Sequence, residues 1–112
     1  MSARVPVTLT VISGRFDNQR EAFGAIVDAS YSEGVTVDLA DVDVISSAAN
    51  VRLAHYFRPA IVARIQAMQG VDNTLLILRP SEATQKPGFL ANHTQFRRLG
   101  VFAGTIIEPG ED

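Results

Sequence analysis

The sequence predicts an α/β protein: a sheet of about four strands, mixed or mostly parallel, with crossover helices in βαβαβαβ order. Three observations carry this. Apolar residues switch repeatedly between two-residue and three-to-four-residue spacing along the 112 residues. One run, TLLIL (74–78), is apolar throughout, as in a strand covered on both faces. Turn and cap residues fall between the periodic stretches.

In VPVTLTVI (5–12) Val5, Val7, Leu9 and Val11 share one face of a strand, and Pro6 suits a strand start or a sheet edge. Gly14 ends it. Asn18 and Glu21 have capping-box spacing and Asp17 adds negative charge, so a helix begins there and buries Ala22, Phe23, Ile26 and Val27 before ending near Ser32 to Gly34. VTVDL (35–39) reads as the second strand. A helix over 48–69 follows, with Val51, Ala54, Phe57, Ile61, Ile65 and Met68 as its core stripe and Pro59 kinking its solvent side. Gly70 stops it, and Asp72 with Asn73 turns the chain into strand 74–78. Pro87 and Gly88 interrupt the next segment, leaving a helix over 89–99, and VFAGTII (101–107) is the last strand. Residues 1–112 form one domain, with 108–112 as a tail.

Composition narrows the function. A net charge of -2 with scattered arginines lacks the clustered basic face of a nucleic-acid binder. With no cysteine there are no disulfides, no thiol catalysis and no zinc–thiolate site. No apolar run reaches a membrane span, and MSARVPVTLT has no signal-peptide core, so a cytoplasmic protein without membrane insertion is expected.

The sharpest feature is the pair Ser46 and Ser47, where strand pattern hands over to helix pattern. One serine caps the helix by accepting from a free backbone N–H. The same N–H groups and partial positive charge also accommodate a phosphate, and Ala48 and Ala49 leave room for a partner.

The stretch DLADVDVISSAA resembles the signature of STAS domains, the anti-sigma factor antagonist family, in which D-L-S-x-V-x-F-I-D-S-S-G opens a helix. Asp38, Leu39, Val42 and Ile45 match it, and Ser47 falls on the serine phosphorylated in many members. ISGRFDNQ (12–19), GVDNTLLILRPS (70–81) and RRLGVF (97–102) are similar to further family segments, in the right order. The resemblance implies a STAS-like sheet and a module that docks on an anti-sigma factor. That partner would itself be a serine kinase of the ATP-binding, histidine-kinase-like fold. The implied docking surface comprises Asp17, Asn18, Ser46, Ser47, Ala48, Ala49 and Asn50, with Ser47 as phosphate acceptor or, in an alternative alignment, Ser46. Ser46 stands where the family carries an acid and Ala49 where it carries glycine; a non-phosphorylated STAS scaffold, in a signalling complex or a transport system, is the alternative.

No enzyme is expected. Ser47 with His55 or His93 and Asp43 can be written as a triad, but there is no G-x-S-x-G elbow. Asp38, Asp41 and Asp43 have strand-and-turn spacing without the upstream acidic pair and downstream lysine of a phospho-receiver, and Lys86 is the one lysine of the chain. The sequence predicts no catalytic residue, no metal and no cofactor; the oligomeric state does not follow from it.

Overall fold

The computed structural model describes residues 2–86, 89–90 and 95–109, with backbone alone for 2–3, 39, 47–50, 82 and 107–109. Strand β1 (Ser2–Gly14) leads to α1 (Gln19–Ser32) and, through a 3₁₀ turn (Leu39–Asp41), to β2 (Val42–Ser46). A 3₁₀ segment (Ser47–His55) and α2 (Pro59–Gln69) precede β3 (Thr74–Leu78). The short α3 (Glu82–Gln85) and the long β4 (Phe96–Pro109) complete the chain.

The sheet order is β2-β3-β1-β4, and every neighbouring pair is antiparallel. This overturns the mostly parallel, STAS-like sheet expected from the sequence. The units β1-α1-β2 and β3-α3-β4 are interleaved, each with a strand of the other between its own two, which is the split βαβ (ferredoxin-like) arrangement. Ser46 and Thr74 are paired, so the helical segment between them leaves and returns at one end of the sheet instead of crossing it.

The periodicity of β1 fixes which face is which. Val5, Val7, Leu9 and Val11 pack with Ile45, Leu75 and Ile77 beneath Leu53, Phe57 and Ile65. Ile12, Val42, Val44, Leu76 and Leu78 form the opposite core with Ala22 and Ile26 of α1, Ala83 of α3, and Phe89. All five residues of β3 are therefore buried, each large one contributing about 1.5–3 kcal/mol of transfer free energy. The apolar run that suggested a parallel strand reflects helical cover on both faces, which an antiparallel sheet receives here equally well.

Three elements differ from the sequence reading. Residues 35–38 are not a strand: the Asp38 carboxylate accepts from Ala40 N–H at 2.9 Å, and this local turn competes with any ladder. Val35 and Val37 still pack on the core, and pairing starts only at Val42. The helix expected over 48–69 is two pieces. Arg58 precedes a proline and is held extended (φ -66°, ψ 155°), while Pro59 occupies the start of α2, where its missing N–H costs nothing. The turn this forces leaves Val51, expected in the core, 78% exposed. The helix expected over 89–99 gives way to β4, which begins at Phe96 and runs past the expected strand 101–107 to Pro109. Its partner β1 is long enough to take all of it, from Ser2 opposite Pro109 to Gly14 opposite Phe96. The pairing slips between Val11 and Ile12, leaving Leu99 as the extra residue of a bulge and Gly100 at φ +142°.

Tyr56 and Phe57 dock on β4. The Tyr56 carbonyl accepts from Thr105 N–H at 2.8 Å, and the Phe57 ring meets Phe102 edge-on with centroids 6.3 Å apart. A Cβ at Gly104 would lie 2.6 Å from the Tyr56 carbonyl oxygen and 3.0 Å from the Phe57 ring. Gly104→Val is accordingly expected to lower stability by about 2 kcal/mol or more, read as a reduced urea midpoint at unchanged slope. An unchanged midpoint would show that this approach is not tight.

Candidate functional site

Gly14, Thr74 and Ser46 are neighbours across β1, β3 and β2, so the loops that adjoin them lie at one end of the sheet. These include both halves of the docking surface expected from the sequence. Asp17 is exposed, and Asn18 caps α1 by accepting from Glu21 N–H at 2.8 Å, as its spacing predicts. The first turn of α1 is tied to β2 by Gln19, whose side-chain amide donates to the Val44 carbonyl at 3.1 Å. Two residues further on, Ser46 ends β2, exposed and extended (φ -77°, ψ 159°), at the N-cap position of the 3₁₀ segment. Its hydroxyl makes no capping bond. Ser47, Ala48, Ala49 and Asn50 form the first turn of that segment; their side chains lie outside those described.

Val51 and Val71 flank this end at 78% and 82% exposure, five residues after Ser46 and three before Thr74. Single exposed valines are ordinary; here two occur in the segments that adjoin Ser46 and its partner Thr74.

A polar network makes the end rigid. Asp72 accepts from the Ser13 hydroxyl at 2.7 Å and from Arg97 Nε at 2.9 Å. The other arm of Arg97 donates to the Met68 and Gln69 carbonyls, closing the C-terminal turn of α2. Asn73 brackets Phe16, accepting from its N–H and donating to its carbonyl, both at 2.9 Å. Burial alone would raise the Asp72 pKa, but the Ser13 and Arg97 hydrogen bonds and the charges of Arg97 and Arg15 outweigh it and hold the carboxyl below 3.8.

A second cluster lies under the free edge of β2. Asp43 takes Arg52 on one carboxylate oxygen and the Tyr56 hydroxyl on the other, each at 2.5 Å. Burial, then the hydrogen bond to Asp43 and its charge, push the Tyr56 phenol up to about 12. Asp43 thus joins the 3₁₀ segment to the sheet. His55 is exposed and offers its carbonyl to Arg4, and His93 lies outside the described residues. Asp38 and Asp41 belong to the turn before β2, where the Asp41 carbonyl accepts from Arg79 N–H. Among the described residues no three His, Cys, Asp or Glu side chains are grouped to hold a metal ion. Among them, too, no helix is long and apolar enough to cross a membrane.

Sequence reasoning missed both clusters. Asp43 left a trace, being the one carboxylate within the apolar strand VDVIS. The pairing of Asp72 with Arg97 left none, because it depends on where β4 runs. No family model, no curated protein and no solved structure matches the chain.

The sign for Asp72 is that of a depressed acid. Its contribution is complete at pH values above the unfolded pKa near 3.8 and disappears as pH falls through the lower folded value. Asp72→Asn should therefore cost about 1–2 kcal/mol at pH 7, with the gap to the parent protein closing in acid as Asp72 protonates in the folded state. Denaturant titrations across pH test this; a gap that stays constant with pH would contradict the assignment.

Proposed function

We propose that this protein is a protein-interaction module whose docking surface is the Ser46 end of the sheet. We further propose that it works as an anti-sigma factor antagonist, binding an anti-sigma factor that is also a serine kinase and released from it when Ser47, or alternatively Ser46, is phosphorylated. The observation that carries the reading is the Ser46 hydroxyl, exposed at the mouth of the 3₁₀ segment without a capping bond, with Val51 of that segment and Val71 of the loop before β3 also exposed. A partner covering the valines would gain apolar burial. The backbone N–H groups of the segment's first turn would accommodate an added phosphate. Such a dianion within the contact would then oppose binding by desolvation and repulsion.

The antiparallel sheet removes the architectural part of the STAS resemblance, so the family-specific half of the proposal rests on the ordered motifs alone. Ser46 in the place of the family's acid, and a 3₁₀ rather than α-helical start at Ser47, favour a second reading: the same surface serving as a constitutive scaffold.

Incubation with the cognate anti-sigma kinase and ATP, followed by intact-mass analysis and peptide mapping, separates the two. The switch requires the mass gain of one phosphate at Ser47 or Ser46, and at least about tenfold weaker binding by the modified protein or by Ser47→Asp. Val71→Asp should weaken binding in either case. No phosphate with unchanged binding by Ser47→Asp leaves the scaffold; unchanged binding by Val71→Asp and Val51→Asp removes the docking surface itself.

A further inference from the structure

Between the far part of the β1–β4 ribbon and the join of the 3₁₀ segment to α2 runs a groove of about 430 Å³. It lies roughly 26 Å along β1 from the Ser46 end, since Thr105 is opposite Pro6 and Gly14 is eight residues further on. The volume is that of a small-molecule site. Phe57, Ile61, Pro6, Ala54 and Ala103 supply an apolar lining, and the close approach permitted by Gly104 shapes its base.

The charge of the groove is one-sided. Arg4 and Arg58 both line it and, among the described side chains, no carboxylate does, although the whole protein carries a net charge of -2. Arg4 is held in place: its Nη1 donates to the His55 carbonyl and to the Thr105 hydroxyl, each at 2.9 Å. Neither bond neutralises the guanidinium. The ion pairs of the described residues use Arg52 and Arg97, so among these residues neither groove arginine has a carboxylate partner. A fixed guanidinium with a hydroxyl beside it, a second guanidinium in the same lining, and an apolar trough match a negatively charged head group on an apolar body.

We infer that this groove is a binding site for a small amphipathic carboxylate, its head group between Arg4 and Arg58 and its apolar part along Phe57 and Ile61. The site is separate from the docking surface at Ser46 and does not depend on it.

Decanoate is the probe, with decanol as the uncharged counterpart and inorganic phosphate as the head group alone, all below micelle-forming concentration. Binding is followed by calorimetry and by amide chemical-shift changes on the full chain. Decanoate should bind at least about tenfold tighter than decanol or phosphate, with shift changes centred on Phe57, Gly104 and Thr105. Arg58→Gln, which removes no hydrogen bond or ion pair among the described residues, should weaken decanoate by about tenfold and leave decanol unchanged. Ala54→Leu, which narrows the trough from an exposed position, should abolish binding while the amide spectrum stays folded. Equal affinity for decanoate and decanol, shift changes elsewhere, or indifference to Arg58→Gln would each overturn the inference.

Discussion

β1 is paired on one side with β4 over its whole length and on the other with β3 over its last five residues, and most of the architecture follows from that double pairing. A strand in this position must present a wholly apolar face where helices cover it, and Val5, Val7, Leu9 and Val11 do so. The pairing also joins segments far apart in the sequence, with Ser2 opposite Pro109, so much of the sheet depends on non-local contacts. The bulge at Leu99 and Gly100 lets one ribbon serve two surroundings: a four-stranded sheet at the Gly14 end and a two-stranded arm at the other.

The arm would be a poor structure alone, since two strands bury little. It is held by the connection between the 3₁₀ segment and α2, through the Tyr56 carbonyl on Thr105, Phe57 against Phe102, and Arg64 over the Phe102 ring at 5.7 Å. At the opposite end the Ser13–Asp72–Arg97 network and the Asn73 bracket fix the loops that adjoin Ser46. Each end thus combines a fixed scaffold with exposed functional groups: a serine and two valines at one, and at the other an apolar trough with two guanidinium groups that have no carboxylate partner among the described residues.

What was legible in the sequence was local. Alternation in β1, the Asn18 cap of α1 and the apolar run of β3 report their own surroundings, and each lies where its pattern places it. Strand direction was not legible, because periodicity carries the same signal whichever way a neighbour runs. Val35 and Val37 alternate as well as Val42 and Val44 do; the difference is the Asp38 turn, a competition between a side chain and the ladder. Pro59 read as a kink because the apolar stripe continues past it, yet the extended residue that a proline demands before it was enough to end one helical piece and start another. RRLGVF looked like a helix end and strand start, and became strand throughout because β1 supplied a partner of matching length. At the candidate site, the motifs located Asp17, Asn18 and Ser46 at element ends, whereas Val71 and the groove arginines depend on tertiary placement.

The fold rests on the antiparallel register of β1 with β4, and a cysteine pair tests that register most directly in a chain that has no cysteine of its own. Thr8 lies opposite Ala103, and because Thr105 turns its N–H away from β1, both Ala103 and Thr105 belong to the more closely spaced kind of antiparallel pair. Their Cα atoms, about 4.5 Å apart in such a pair, fall within the reach of a disulfide. Thr8→Cys with Ala103→Cys should oxidise in the folded state to a single intramolecular bridge without loss of secondary structure. Two thiols that remain free in the folded protein, or that join only after unfolding, would contradict the register and the fold built on it.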